Sequence, residues 1–191
     1  MKWMVISAGL LLGFGSQSAW AGASVRPEIG IRLVISPDYF DTLDEVYQEY
    51  DIIGGFGWFG LHGGVRIQPT ERVFISPRIG ILVNGVNFDG GEESSYINTL
   101  ISPAISGRFV FGKTSGFYVE GEASYNIFNI GSDRYDASNT LGLAGLIGYQ
   151  GRRFDVGAGY SYIPTTVTAR RPRLNEERNF GGGEIRFRFS F

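Results

Sequence analysis

Polar and apolar residues alternate with a period of two in the last eleven residues of the chain. Small or apolar residues occupy the odd positions from 181 to 191, and Glu184, Arg186 and Arg188 lie between them. Successive side chains of a β-strand point to opposite faces. The segment is therefore predicted to be a strand with one apolar face and one charged face.

The same alternation recurs in seven further segments, so eight strands are predicted. Each is long enough for a tilted strand to cross the apolar layer of a membrane. The predicted strands span residues 25–36, 52–68, 73–84, 97–111, 117–128, 139–150, 154–163 and 181–191.

The connections between these strands alternate in length. Short polar turns lie at 68–71, 112–116 and 150–153, whereas long loops lie at 37–51, 85–96, 129–138 and 164–178. Short periplasmic turns and long extracellular loops characterise bacterial outer-membrane barrels. The fold class is predicted to be all-β, an eight-stranded antiparallel up-and-down transmembrane β-barrel.

The first long loop contains a helical pattern. Leu43, Val46, Tyr47 and Tyr50 follow the spacing of one helix face, and Asp41 or Thr42 could cap its start. A short helix over the mouth of the barrel is predicted.

The N-terminus has the features of a secretory signal peptide. Lys2 precedes a mostly apolar stretch from Met4 to Phe14, and Ala19 and Ala21 place small residues before a cleavage point. Residues 1–21 are therefore predicted to be removed, which leaves 22–191 as a single barrel domain.

Composition narrows the function classes. The chain has no cysteine, so it has neither disulfides nor thiolate metal sites. Its net charge of −2 gives no reason to expect nucleic acid as a partner. No cofactor and no metal site are indicated.

Alternation alone does not decide which face points outward, since a secreted lipocalin-like barrel has its apolar face inside. Aromatic residues near the strand ends favour an apolar exterior, because membrane barrels carry such residues at both interfaces. They are Phe109, Phe111, Phe117, Tyr149, Phe154, Tyr160 and Tyr162.

The C-terminal sequence Phe187-Arg188-Phe189-Ser190-Phe191 resembles the signature that outer-membrane barrels present to their assembly machinery. With the eight-strand layout, the chain resembles the small OmpA/OmpX-type and opacity-like barrels. The resemblance implies the outer membrane of a Gram-negative bacterium. It also implies contact with the barrel assembly machinery through Phe187, Phe189 and Phe191, and with membrane lipid and lipopolysaccharide.

An apolar exterior places a nearly balanced set of charges in the lumen. Buried charges must be paired, and arginine pairs well with carboxylates, so a salt-bridged plug is favoured over a narrow channel. Gly142, Gly148, Gly157 and Gly159 would leave some room for a channel. The luminal set is Glu28, Arg32, His62, Arg66, Arg78, Arg108, Glu120, Glu122, Asp155, Glu184, Arg186 and Arg188, with Trp58, Phe74 and Tyr118 also pointing inward.

His62, the only histidine, is the one plausible base near neutral pH. Lipid A-modifying barrels use a histidine beside a serine, and no serine lies close to His62 in the sequence. The chain is therefore predicted not to be an enzyme, and lipid A modification is the least favoured alternative.

Two Ile-Ser-Pro repeats place Pro77 and Pro103 in the third and fourth predicted strands. Symmetric counting about the 85–96 loop sets the prolines roughly opposite each other. Proline donates no hydrogen bond to the ladder. The prolines either occupy tolerated non-hydrogen-bonded positions or a bulge, or they weaken the seam between the two strands enough for small apolar molecules to pass laterally into the bilayer.

The long loops separate their charges. Loops 37–51 and 85–96 are acidic, whereas Arg170, Arg171 and Arg173 cluster in the fourth loop. The arginines either keep the loop solvated or contact lipopolysaccharide phosphates.

The favoured function is a structural or surface-interaction role in the outer membrane, with contact to lipopolysaccharide or a host surface through the long loops. A narrow channel or lateral transporter for small or apolar solutes is the alternative. A monomer is favoured.

Overall fold

The structure, a computed structural model, describes residues 24–48, 51–55, 57–89, 95–112, 115–169 and 173–191. The predicted signal peptide, residues 1–21, lies outside the described residues. The barrel strands are β1 Ser24–Ile35, β2 Asp51–Gly54, β3 Gly57–Gln68, β4 Val73–Asp89, β5 Tyr96–Val110, β6 Gly116–Asn129, β8 Thr140–Gln150, β9 Phe154–Tyr162 and β12 Gly182–Ser190. Outside the barrel wall lie α1 Pro37–Val46, β7 Tyr135–Ala137, β10 Pro164–Ala169 and β11 Leu174–Asn179.

The barrel strands close into a ring in which every neighbouring pair is antiparallel. The order is β1-β3-β4-β5-β6-β8-β9-β12, and β12 pairs back onto β1. Both β2 and β3 pair with β4, so they form one wall position that is interrupted at Gly54 and Gly55, where φ is 124° and 81°. The prediction of an eight-stranded antiparallel barrel is therefore confirmed.

The outward face is the apolar one. Phe117 is 70% exposed and Leu141 72% exposed, whereas the inward Arg186 is 1% exposed. A lipocalin-like barrel would have the opposite arrangement. An apolar outer belt on a closed antiparallel barrel is the arrangement of a multi-pass outer-membrane protein. No helix of the described residues has the length and apolar character needed to cross a bilayer.

Helix α1 begins earlier than predicted. It runs from Pro37, with Ser36 at its N-cap position, rather than from Asp41 or Thr42. Proline is favoured in the first turn because its fixed φ suits the helix and its missing N–H is not needed there. The buried face is consequently Tyr39, Thr42, Leu43 and Val46. Tyr50, which the prediction placed on this face, lies outside the described residues.

The third and fourth long loops, for which the sequence predicted no strands, contain a second small sheet. β10 pairs with β7 on one edge and β11 on the other. The alternation of Thr165, Val167 and Ala169, all buried, with exposed neighbours produces this sheet. Together with α1 it forms an extracellular cap, defined here as α1, β7, β10 and β11.

The cap closes the outer mouth of the barrel through an apolar core. Tyr39 packs its ring on Trp58, with centroids 5.0 Å apart, and against Phe180, with centroids 4.8 Å apart. Phe128 contacts both Trp58 and Phe180. Burial of aromatic side chains dominates core energetics, so the outer mouth is closed by well-packed hydrophobic contacts.

Candidate functional site: the filled lumen

The charged side chains that the sequence assigned to the lumen all point inward. None of the six arginines and five carboxylates is more than 7% exposed. Successive side chains of a strand point to opposite faces, so a register that places the apolar residues outside also places the charged residues inside. Some of their ion pairs join neighbouring strands, such as Arg108 with Glu120, and others cross the lumen, such as Arg188 with Glu120.

Glu120 is the centre of the ion-pair network. Arg108 Nη2 lies 2.6 Å from Glu120 Oε2, and Arg188 Nη1 lies 2.7 Å from Oε1. Arg78 also pairs with Glu120. Arg186 Nη1 lies 3.6 Å from Glu120 Oε1, so four guanidinium groups from β4, β5 and β12 converge on one carboxylate of β6.

Asp155 extends the network towards the short-turn end. It accepts from Arg188 Nε at 2.6 Å and from Arg108 Nη1 at 3.0 Å, and it also pairs with Arg66. Arg66 Nη2 in turn lies 3.1 Å from Glu28 Oε2.

Glu122 and Glu184 extend the network towards the outer end. Arg186 donates to Glu122 through both terminal nitrogens, at 2.6 and 2.7 Å. Arg32 Nε lies 3.0 Å from Glu184 Oε1, and Arg32 Nη1 lies 3.5 Å from Glu122 Oε1. All eleven charged groups thus belong to one continuous network.

The network gives each buried charge at least one opposite partner. A buried charge that loses its partner destabilises a fold by about 3–5 kcal/mol, so pairing on this scale holds the interior in one arrangement. Arginine is suited to the task because it donates in several directions at once. The arrangement fills the barrel cross-section with mutually bonded side chains.

The glycines of β8 and β9 do not leave open space in the lumen, contrary to the expectation from sequence. The Tyr118 ring occupies the room at Gly148 and Gly157, where an added Cβ would meet Tyr118 ring and hydroxyl atoms. Arg188 Nη2 donates to Tyr118 Oη at 2.8 Å, and the Arg108 guanidinium lies 4.2 Å from the ring centroid. Gly148 and Gly157 therefore accommodate an aromatic side chain of the network, whereas an added Cβ would meet Asn126 and Ser124 at Gly142 and the β8 backbone at Gly159.

A layer of neutral polar groups separates the ion pairs from the apolar outer core. Tyr39 Oη donates to Asn84 Oδ1 at 3.1 Å, and Tyr135 Oη lies 3.2 Å from Tyr39 Oη. Asn98 donates to both tyrosines. Burial raises the pKa of Tyr39 and Tyr135 above the usual tyrosine value, which keeps both phenols neutral and able to donate.

His62 lies inside the barrel as its phase indicates, but no described residue contacts it as a catalytic partner. It is buried, and neither ring nitrogen has a hydrogen-bond partner in the described part of the chain. A serine–histidine site needs the two side chains within hydrogen-bond reach. Nor do the described residues contain a cluster of side chains that could hold a metal ion.

The two prolines do not face each other across a weakened seam. Pro77 lies opposite Ile105 and Pro103 opposite Ile79, and the β4–β5 ladder continues through both positions. The pairing with the next strand on either side is interrupted instead. The β3–β4 ladder has a gap at Val65–Arg66, beside Pro77, and the β5–β6 ladder has a gap at Tyr125–Asn126, beside Pro103. The ladder is centred on residue 91, so the partner of Pro77 lies two residues beyond Pro103 and the expected facing of the two prolines was wrong. Each missing proline N–H faces β3 or β6.

The arginine cluster of the fourth loop is only partly within the described residues. Arg173 is exposed, and Arg170 and Arg171 lie outside them. Arg178, further along the same loop, donates to Glu45 at 2.7 Å and to Glu176 at 2.9 Å. It therefore joins β11 to α1 within the cap.

The C-terminal aromatics lie on the lipid-facing side of β12. Phe187 pairs across to Ile31 and Phe189 to Ile29 of β1. Phe187, Phe189 and Phe191 are all exposed. Their role as an assembly signal stays a prediction.

Comparisons with known proteins agree on the fold alone. No protein-family model matches the chain, and no curated protein matches it. Among solved structures, the chain is similar to the outer membrane protein OprG from Pseudomonas aeruginosa, with a TM-score of 0.55 and 13% sequence identity. The similarity covers 87% of this chain and 95% of that one.

Proposed function

We propose that this protein is a closed outer-membrane barrel, of the small OmpA/OmpX-type and opacity-like kind, whose extracellular cap makes structural or surface contacts. The observation that carries the proposal is the closure of the interior at two successive levels. Ion pairs occupy the membrane-embedded lumen, and Tyr39, Trp58 and Phe180 fill its outer mouth. A solute-conducting protein would need a passage through both the ion pairs and the aromatic residues of the outer mouth.

The cap supports a contact function because it is a folded layer rather than a set of loose connections. Its sheet is fixed by the β10 pairings, and Arg178 ties β11 to Glu45 of α1. Asp41, Asp44 and Glu177 are exposed on its outer side, while the arginine cluster at 170–173 supplies the opposite sign. A folded surface with separated charges suits contact with the phosphates and bound cations of lipopolysaccharide.

The test is the stabilisation of the folded barrel by lipopolysaccharide. The protein is folded into phospholipid vesicles with or without lipopolysaccharide, and the temperature at which heat-dependent gel mobility is lost is measured. A triple variant with Arg170, Arg171 and Arg173 replaced by serine is expected to lose most of the lipopolysaccharide-dependent increase. Arg72→Ser, an exposed change at the opposite end, is the matched control. Equal increases in all three proteins would refute the contact role of the cap.

A further inference from the structure

The short-turn end of the lumen contains a cavity that the ion-pair network does not fill. Its volume is about 430 Å³. Arg26, Arg152 and Arg153 form its exposed rim, and Arg66, Gln68 and Gln150 lie deeper. Because short turns of outer-membrane barrels face the periplasm, this cavity opens to that side.

The side chains around the cavity present hydrogen-bond donors. Ser24 Oγ donates to Gln68 Oε1 at 3.3 Å, and Arg108 Nη1 donates to Gln150 Oε1 at 2.8 Å. Since both amide oxygens are engaged, the NH₂ groups of the two glutamines remain available as donors. Arginine side chains carry donors and no acceptor.

The positive charge of the rim is not balanced by any carboxylate of the described residues. Arg26 lies directly opposite Arg66 in the β1–β3 ladder, and like charges at facing positions destabilise a strand pair. Arg66 is paired with Glu28 and Asp155. The rim arginines, by contrast, have no ion pair with any described residue, and no carboxylate lines the cavity.

We propose that this cavity binds a phosphate group from the periplasmic side. An anion between Arg26 and the Arg152–Arg153 turn would relieve the repulsion of the rim. A phosphate offers several oxygens and up to two negative charges, and guanidinium groups match its geometry bidentately. A single carboxylate, with two oxygens and one negative charge, would neutralise the three rim arginines less completely than a phosphate.

The phosphate has two sources, a free periplasmic anion or the headgroup of a phospholipid in the inner leaflet. The rim lies beside the membrane interface, because Phe154 directly follows the turn, faces outward and pairs with Phe189 of β12. Aromatic residues mark the interfaces of barrel proteins. A headgroup at that level would therefore lie close to Arg152 and Arg153.

The first experiment is calorimetric titration of the folded protein in maltoside micelles with inorganic phosphate. The variant Arg152→Ser/Arg153→Ser is expected to bind at least about tenfold more weakly, since it loses charge-assisted hydrogen bonds. Arg26→Ser is expected to weaken binding several-fold by the same reasoning. Arg72→Ser removes a charge from a neighbouring short turn outside the cavity and is expected to leave binding unchanged. Heat-dependent gel mobility verifies that each variant is folded.

The second experiment measures phosphatidylglycerol retained by the protein in native mass spectrometry from mixed micelles. Phosphate binding that the double variant abolishes assigns a site for free anions. Retained lipid that the double variant loses, without inorganic phosphate binding, assigns a headgroup site. Absence of both signals in the wild-type protein, or equal signals in the double variant and Arg72→Ser, would overturn the proposal.

Discussion

Replacing Glu120 by glutamine is the most informative perturbation of the lumen. Glutamine keeps the size of the side chain but removes the negative charge that four arginines share. Removing one partner of a buried ion pair costs about 3–5 kcal/mol. The free energy of unfolding is therefore expected to fall by about that amount.

The double variant Glu120→Gln/Arg188→Gln separates lost pairing from lost packing. It restores the original charge balance, and Asp155 keeps Arg66 and Arg108 as partners when Arg188 is removed. The double variant is expected to lose less stability than the two single variants lose together. The difference is expected to be about 0.5–3 kcal/mol, the coupling energy typical of residues in one network.

The assay is equilibrium urea unfolding from lipid vesicles, followed by tryptophan fluorescence. Trp58 is buried in the outer core and is the only tryptophan beyond residue 20. Glu177→Gln, at an exposed position in the cap, is the control and is expected to change stability by less than about 0.5 kcal/mol. If Glu120→Gln behaved like this control, or if the two single changes were additive, the network account would be refuted.

Three further predictions follow from the packing of the barrel and cap. Gly157→Ala is expected to destabilise the barrel by about 1–3 kcal/mol in urea unfolding, because a Cβ there collides with Tyr118. Gly145→Ala, with no atom within 4 Å of the added Cβ, is expected to be neutral. Leu43→Ala is expected to cost the cap about 2–5 kcal/mol, since this side chain is fully buried, and to accelerate proteolysis within α1. The cap is expected to lose stability as the pH rises above about 10, because burial raises the pKa of Tyr39 and the unfolded phenol loses its proton first; the emission of the buried tryptophan measures this loss.

Each of these expectations has a clear contradictory result. Equal stability of the two glycine variants would show that Tyr118 is not confined by Gly157. Unchanged proteolysis of Leu43→Ala would show that α1 is held by other contacts. For the pH prediction, tryptophan emission that stays constant above pH 10 would show that ionisation of Tyr39 is not linked to opening of the cap.

The wall of the barrel could be predicted because lipid contact imposes a strict alternation. Every second residue must be apolar over ten or so positions, and this pattern is visible in segments such as 181–191. The cap was harder to predict. Val167 and Ala169 alternate over only a few residues within a polar loop, and Pro37 starts α1 one turn before the apolar spacing suggested.

The lumen was predictable in content but not in pairing. Strand phase shows that Glu120 and Arg188 point inward, but the sequence does not show that they meet across the barrel. The positive charge of the periplasmic cavity arises partly because Arg26 lies opposite Arg66. Only the β1–β3 register shows that these two residues face each other. The facing of the prolines was predicted wrongly for the same reason, because moving the hairpin centre by a single residue changes the partner of Pro77 from Pro103 to Ile105.

The most direct test of the closed barrel is the conductance of the folded protein in a planar bilayer. The filled lumen and the packed cap predict a silent bilayer, both for the wild-type protein and for Leu43→Ala, because loosening the cap leaves the ion pairs in place. Heat-dependent gel mobility of the same sample verifies that the inserted protein is folded. Reproducible conductance steps that change when Glu120 is replaced by glutamine would contradict the account and show an open path through the lumen.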